Sequence, residues 1–273
     1  MSDSILVGVG QFAPGPDLAA NLAAIDELAS AAAARGAVVV VFPEYSSFFE
    51  REMSAAFVKA AQPIDGEFVA GLGAVARRLG VHVVAGLVET GDATHFSNTL
   101  VAVDPSGSVV ATYRKLHLYD AFGQRESDWV LPGAITTPQT FVAGGFTFGM
   151  QTCYDVRFPE VTRTLVDAGA DVVLVPAEWV RGPLKEHHWR TLVTARALEN
   201  TMYIAAADHM PPVGVGNSMV VDPSGVEIAT IGDERGVAVA EIRRDRLEDV
   251  RRVNPALRLR RFRVVEGESA TTP

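Results

Sequence analysis

Cys153 is the only cysteine among the 273 residues of the chain. A thiol is a strong nucleophile once it has lost its proton, and it needs a base or a cation nearby to do so. Three other residues have positions that could supply these. Glu44 ends the run Val38-Val-Val-Val-Phe-Pro-Glu, so a carboxylate sits just past a strongly apolar stretch. Lys115 follows the β-rich segment 109–113, and Glu126 lies within Gln124-Arg125-Glu126-Ser127. Taken singly, each reads as a solvated surface charge, and a lone cysteine usually behaves as a small buried hydrophobe. Together they form a pattern, because Glu44, Lys115 and Cys153 fall at the ends of separate expected strands. In layered α/β domains such ends converge on one cleft.

The elements that would position them are legible from apolar periodicity. Residues 5–13 open as a β-rich segment. Residues 18–34 are rich in Ala and Leu at helical spacing, and Gly36 stops them. Residues 37–42 form a continuous apolar run of strand length, the pattern of a strand covered on both faces. A helix is expected over 66–79, a strand over 81–88 and another strand over 146–152, which leads into Cys153. Pro159 stands at the first turn of a helix over 159–168. A buried strand over 171–175, a long helix over 185–200 and a strand over 202–207 follow. Strands alternating with helices indicate an α/β layered domain. Two segments repeat one design: residues 98–107 and 217–225 each end in Asp-Pro-Ser-Gly, with Pro and Gly where a type I turn prefers them. Two related halves within one domain are therefore expected. Residues 120–138 lack a clear period but hold Phe122, Trp129 and Leu131, which favours an ordered loop over a disordered one.

Composition narrows the function. Hydrophobic residues make up 48% and charged residues 21%, enough for a sizeable core. The net charge of −9 disfavours a general nucleic-acid binder. Arginines crowd the C-terminal end, from Arg243 to Arg263, and are expected to pair with the acidic remainder or with a second subunit. None of the six histidines has metal-ligand spacing with another His, Cys or carboxylate, so no metal is expected. No cofactor motif is present either, since Gly144-Gly145-Phe-Thr-Phe-Gly149 lacks the dinucleotide-binding order. No apolar run approaches a membrane span, and residues 1–5 lack a basic signal-like region. A reducing cytoplasm is the expected location of a chain with one cysteine.

Three segments resemble, in order, the signature motifs of the carbon–nitrogen hydrolase (nitrilase) superfamily. They are Phe42-Pro43-Glu44, Tyr113-Arg114-Lys115-Leu116-His117-Leu118 and Cys153-Tyr154-Asp155-Val156-Arg157-Phe158-Pro159-Glu160. Trp189 to Tyr203 is similar to a later helix-and-strand segment of that superfamily, so the resemblance spans about residues 5–255. It implies a four-layer α-β-β-α sandwich over residues 1–262, with 263–273 as a flexible tail. It also implies that Glu44 is the general base and acid, Lys115 the electrostatic stabiliser, Cys153 the nucleophile and Glu126 a second glutamate beside Lys115. Tyr154 would lend its backbone N–H to the oxyanion, and Arg157, Glu178 and Trp179 would face the substrate. A free thiol and a glutamate differ by about four pKa units, so moving the proton between them costs roughly 6 kcal/mol in water. Lys115 must narrow that gap by favouring the thiolate.

Cys153-Tyr154-Asp155 departs from the Cys-Trp-Glu of true nitrilases and is similar to the omega-amidase and deaminated-glutathione amidase branch. That resemblance implies hydrolysis of the terminal amide of a small carboxylated substrate through a thioester, with Arg157 or Arg181 pairing with the carboxylate. The segment Ala177-Glu178-Trp179-Val180-Arg181-Gly182-Pro183 departs from the Ser-Ala-Phe type run of that branch. N-carbamoyl amine hydrolysis is the alternative chemistry. A catalytically silent binding subunit is the non-enzyme alternative, and a Cys–His hydrolase using His117 or His209 is a third. A homodimer or higher homo-oligomer is expected, joined through the helices flanking the nucleophile.

Overall fold

The computed structural model of the chain describes residues 3–267. The first half builds one sheet. Strand β1 (Ser4–Gln11) leads to helix α1 (Leu18–Ala34), whose N-terminus is capped by Asp17 accepting from the Ala20 N–H. Gly36, at a φ of 88°, turns the chain into β2 (Ala37–Val41). Short helix α2 (Ala55–Ala60) and helix α3 (Glu67–Leu79) lead to β3 (His82–Thr90). A hairpin of β4 (Phe96–Val103) and β5 (Val109–Arg114) follows, and β6 (Val130–Leu131) pairs with β4. The sheet order is β13-β1-β2-β3-β4-β5, with β13 (Gly236–Arg243) returning from the end of the chain.

The second half repeats the plan. Strands β7 (Phe141–Ala143) and β8 (Phe146–Met150) precede helix α4 (Pro159–Asp167). Strand β9 (Val172–Ala177), helix α5 (Lys185–Asn200) and β10 (Tyr203–Asp208) come next. The hairpin of β11 (Met219–Val221) and β12 (Glu227–Thr230) closes the order β12-β11-β10-β9-β8-β7. In each sheet three parallel strands run into an antiparallel hairpin, so β1–β5 correspond to β8–β12. Both hairpin turns work alike. Asp104 accepts from the Ser106 and Ser108 N–H groups, and Asp222 from those of Ser224 and Val226. Strands β2 and β9 also share a local pattern, Val-Val-Val-Val-Phe-Pro-Glu44 against Val-Val-Leu-Val-Pro-Ala-Glu178. Each delivers a glutamate past its end.

Strand periodicity explains the layering. Val39 and Val41 of β2 meet Val172 and Leu174 of β9 in the core between the sheets. Val40 points the other way, against Ile25 and Leu28 of α1 and Leu72 of α3. Val173 and Val175 likewise point outward to Leu165 of α4 and to Trp189 and Val193 of α5. The result is the four-layer α-β-β-α sandwich that the resemblance implied. Helix α6 (Arg244–Val253) is short and covers the edge with one buried residue, Leu247. The C-terminal arginines meet acids: Arg244 and Arg251 hold Asp171 at 3.0 and 3.3 Å, Arg246 holds Asp222 at 2.7 Å and Arg260 holds Asp167. Of the expected tail, residues 263–267 carry no helix or strand and 268–273 lie outside the described residues. Among the described residues no helix is long and apolar enough to cross a membrane.

Candidate active site

The chain leaves β8 through Gln151 and Thr152 and enters a one-turn 3-10 segment, Cys153–Arg157. Cys153 opens it at a φ of 45°, in the left-handed region that a residue with a Cβ adopts only at a cost. The strain is held by Asp155, which is fully buried. Its carboxylate accepts from the Thr152 N–H at 3.3 Å, the Tyr113 hydroxyl at 2.7 Å and the His117 N–H at 2.9 Å. From behind, the Arg196 guanidinium donates to the Val156 carbonyl at 2.9 Å. The thiol is thereby fixed above the end of the sheet, where it donates to the Glu178 carbonyl at 3.5 Å.

Glu44 approaches from the other sheet. It follows β2, is 1% exposed and accepts from the Lys115 ammonium at 2.9 Å and from the Asn98 amide at 2.6 Å. Its second oxygen accepts the Glu178 N–H at 2.6 Å, which ties the ends of β2 and β9 together. Lys115, just past β5, is 2% exposed and also reaches Glu126 at 2.9 Å. Glu126, at the start of a 3-10 turn (Glu126–Asp128), is 4% exposed and fully engaged. It accepts from the Tyr45 hydroxyl at 2.6 Å and the Tyr119 N–H at 2.5 Å. One buried ammonium thus bridges two buried carboxylates, an arrangement that makes sense only if every charge has a partner.

The electrostatics follow from that packing. Burial alone would push the Lys115 ammonium down, but Glu126 and Glu44 outweigh it and hold it well above the ordinary lysine range. Burial and then the charge of Glu44 push the Cys153 thiol up, while Lys115 pulls it the other way. Burial and then Glu44 also push the Glu178 carboxyl well above the usual carboxylate range. Burial and Glu44 thus favour the protonated form of the Cys153 thiol.

All four expected core residues converge on one cavity of about 940 Å³, which Tyr154, Arg157, Glu178 and Trp179 also line. Arg157 lies over the Trp179 ring, 4.8 Å from its centroid, and its Nε and Nη2 are buried without a partner. Arg181 lines the cavity but is exposed and reaches Glu186 at 3.7 Å, so it is the weaker of the two candidate carboxylate ligands. The Cys–His alternative fails on geometry. His117 is bound to Asp155 at 2.8 Å and stacked on Phe158. The ring of His209 donates through Nε2 to the Glu44 carbonyl at 2.7 Å, and burial pushes it down to about 4. Sequence reasoning missed Asn98, Tyr45, Tyr119, Asp155 and Lys185. Tyr45 was adjacent to one quoted motif and Asp155 lay within another, and Asn98 opened the repeated hairpin. Lys185 stood only at the start of a helix and gave no signal. Among the described residues no group of three or more His, Cys, Asp or Glu could hold a metal ion.

A buried thiol facing a Glu–Lys–Glu array from an opposed sheet defines a cysteine hydrolase site. Comparison with known proteins agrees. The carbon–nitrogen hydrolase family model matches residues 6–252. The chain is 38% identical over 258 residues to a deaminated glutathione amidase of Escherichia coli O157:H7, covering 94% of this chain and 98% of that one. It is 33% identical over 273 residues to the deaminated glutathione amidase of Rattus norvegicus, covering 94% and 82% respectively. Among solved structures, the C. elegans NitFhit protein superposes with a TM-score of 0.85 at 29% identity, over 95% of this chain and 66% of that one. An amidase from Nesterenkonia sp. superposes with a TM-score of 0.76 at 30% identity, over 91% and 94%. The chain belongs to the carbon–nitrogen hydrolase family. It is an enzyme of the amide-hydrolysing kind.

Proposed function

We propose that the chain hydrolyses the terminal amide of a small carboxylated substrate, with Cys153 as nucleophile and ammonia as leaving group. One observation carries the reading: the Lys115 ammonium, bound to Glu44 and Glu126, stands in the same cavity as a buried thiol and an unpartnered arginine. In this reading Glu44 takes the thiol proton and Sγ attacks the amide carbon. The oxyanion is met by Lys115 and the Tyr154 N–H. Glu44 returns the proton to nitrogen, the C–N bond breaks and ammonia leaves a thioester. Glu44 then takes a proton from water, hydroxide adds to the thioester, and the carboxylic acid and free thiol are released. Glu126 holds Lys115 in place, and Arg157 receives the substrate carboxylate as a bidentate partner. Relatives named deaminated glutathione amidase support this choice of substrate class.

The same reading takes residues 1–262 as the hydrolase unit, with 263–273 appended. It places the enzyme in the cytoplasm, where a lone nucleophilic thiol stays reduced. It also makes the enzyme a homodimer built on α4 and α5, with the exposed Leu259, Phe262 and Val265 reaching a second subunit. The decisive experiment is ammonia release by purified protein from 2-oxoglutaramate-like amides, aliphatic nitriles and N-carbamoyl amines, with Cys153→Ala as the inactive control. Amides are expected to be fastest. Preference for nitriles, or for N-carbamoyl amines with carbon dioxide release, would overturn the substrate class, and activity in Cys153→Ala would overturn the mechanism.

A further inference from the structure

Lys185 stands where a lysine is least expected. It is the first residue of α5, so its charge opposes the positive end of a 16-residue helix. It is only 7% exposed, and the chain reaches it through Leu184 at a φ of 60°. That turn, with the Trp179 indole donating to the Lys185 carbonyl at 2.9 Å, directs the side chain into the cavity holding Cys153. There its ammonium donates to the Tyr119 hydroxyl at 2.7 Å and lies 4.0 Å from the centre of the Phe122 ring. Beside it, Arg157 has Nε and Nη2 buried and unpartnered. Ring faces compensate a desolvated cation only in part.

The buried Lys185 ammonium, the half-buried Arg157 guanidinium and a helix N-terminus thus face one space, and each of the three favours an anion there. The neighbouring carboxyl does not supply it. Glu178 turns its backbone to Glu44 and to the thiol, and its Oε1 is buried without a partner. Burial and then Glu44 also drive that group toward its neutral form. Burial and then Arg157 push the Lys185 ammonium down, the direction expected of a cation waiting for its counter-charge.

We infer that Lys185 is the second cation of a carboxylate subsite and determines specificity, selecting amides whose acyl chain ends in a carboxylate over neutral amides of equal length. The inference rests on the amidase reading given above. It assigns Lys185 a binding role, with the amide end of the same substrate at Cys153.

The probes are the monoamide of glutaric acid and pentanamide, its neutral counterpart in chain length. The native enzyme is expected to favour the monoamide in kcat/KM by at least about tenfold, the value of one charge-assisted hydrogen bond. Lys185→Met is expected to lower that ratio at least about tenfold, chiefly through KM for the monoamide, and Lys185→Arg to restore part of it. A ratio in Lys185→Met within twofold of native overturns the proposal. A measurement on the native protein decides the case where Lys185→Met fails to fold. Glutarate should protect Cys153 from alkylation by iodoacetamide and 1,5-pentanediol should not; equal protection by both, or none by glutarate, overturns the subsite. Hydrolysis of neither amide would remove the amidase reading instead, and glutarate protection would still decide the subsite.

Discussion

Glu126 accepts from Lys115, Tyr45, Tyr119 and Asn98, all of them donors. Glu126→Gln puts an amide NH2 against at least one of these, leaving a buried donor pair opposed at a cost of about 1–3 kcal/mol. The thermal midpoint should fall by a few degrees, and turnover by at least about a hundredfold as Lys115 loses one of its two anchors. Steady-state ammonia release with near-native turnover in a folded variant would reduce Glu126 to a loop anchor. The thiol allows a pH test. Its proton is held above the ordinary cysteine range by burial and by Glu44, so the thiolate fraction keeps growing above pH 9. Alkylation of Cys153 by iodoacetamide should accelerate with pH throughout the alkaline range, and a plateau reached below pH 8 would contradict a thiol that rests protonated. Glu44, Lys115 and Cys153 were readable in the sequence because each follows an apolar strand within a distinctive motif. Lys185 was not, because a lysine opening a helix looks like any solvated residue until Leu184 turns it inward.

Glu44 owes its position to a backbone contact made by β3. Gly86 donates its N–H to the Pro43 carbonyl and accepts from the Ser47 N–H, and a Cβ there would lie 2.4 Å from the Tyr45 nitrogen and 2.7 Å from the Glu44 Cα. Those atoms are backbone and cannot rotate aside. Gly86→Ala should therefore lower stability by about 1–3 kcal/mol. A displacement of about an ångström in Glu44 should lower kcat about a hundredfold. Calorimetry and turnover on the same preparation check both, and an unaltered kcat would mean that the turn after β2 has slack that the packing denies. The long elements matched their sequence patterns: α1 spans Leu18–Ala34 and α5 spans Lys185–Asn200, as periodicity indicated. Short ones escaped. Strand β6 is two residues long and owes its existence to pairing with β4, and α6 is mostly charged with one buried residue in ten, so neither presents an apolar run to read. The loop over 120–138 was expected to be ordered, and it is, with Val130 in the core beside Tyr45 and Phe96.

The site is divided between the sheets, with Glu44, Lys115 and Glu126 on one and Cys153 and Glu178 on the other, so the catalysis proposed above requires the sandwich to be closed. In the homodimer proposed above, a second copy would add to that closure by covering α4 and α5. Light scattering at low micromolar concentration should then give about twice the 29.1 kDa chain mass, and a fully active monomer would free the apolar C-terminal residues for another role. The pairing of β1 with β13 has a temporal meaning as well. Ser4 meets Arg243 and Gln11 meets Gly236, so a strand made early waits for one made much later. Until then β1 presents a bare edge to every other nascent chain nearby. A protein ending at Asp233 would keep all the reactive groups yet leave that edge open, and it should emerge aggregated and without hydrolase activity. A soluble, active truncation would show that β13 is a cover and not a closure. If it is a closure, synthesis has a built-in safeguard: the thiol meets its proposed proton acceptor in a closed sandwich only after β13 has been made, and no fragment lacking that strand can act on the amides around it.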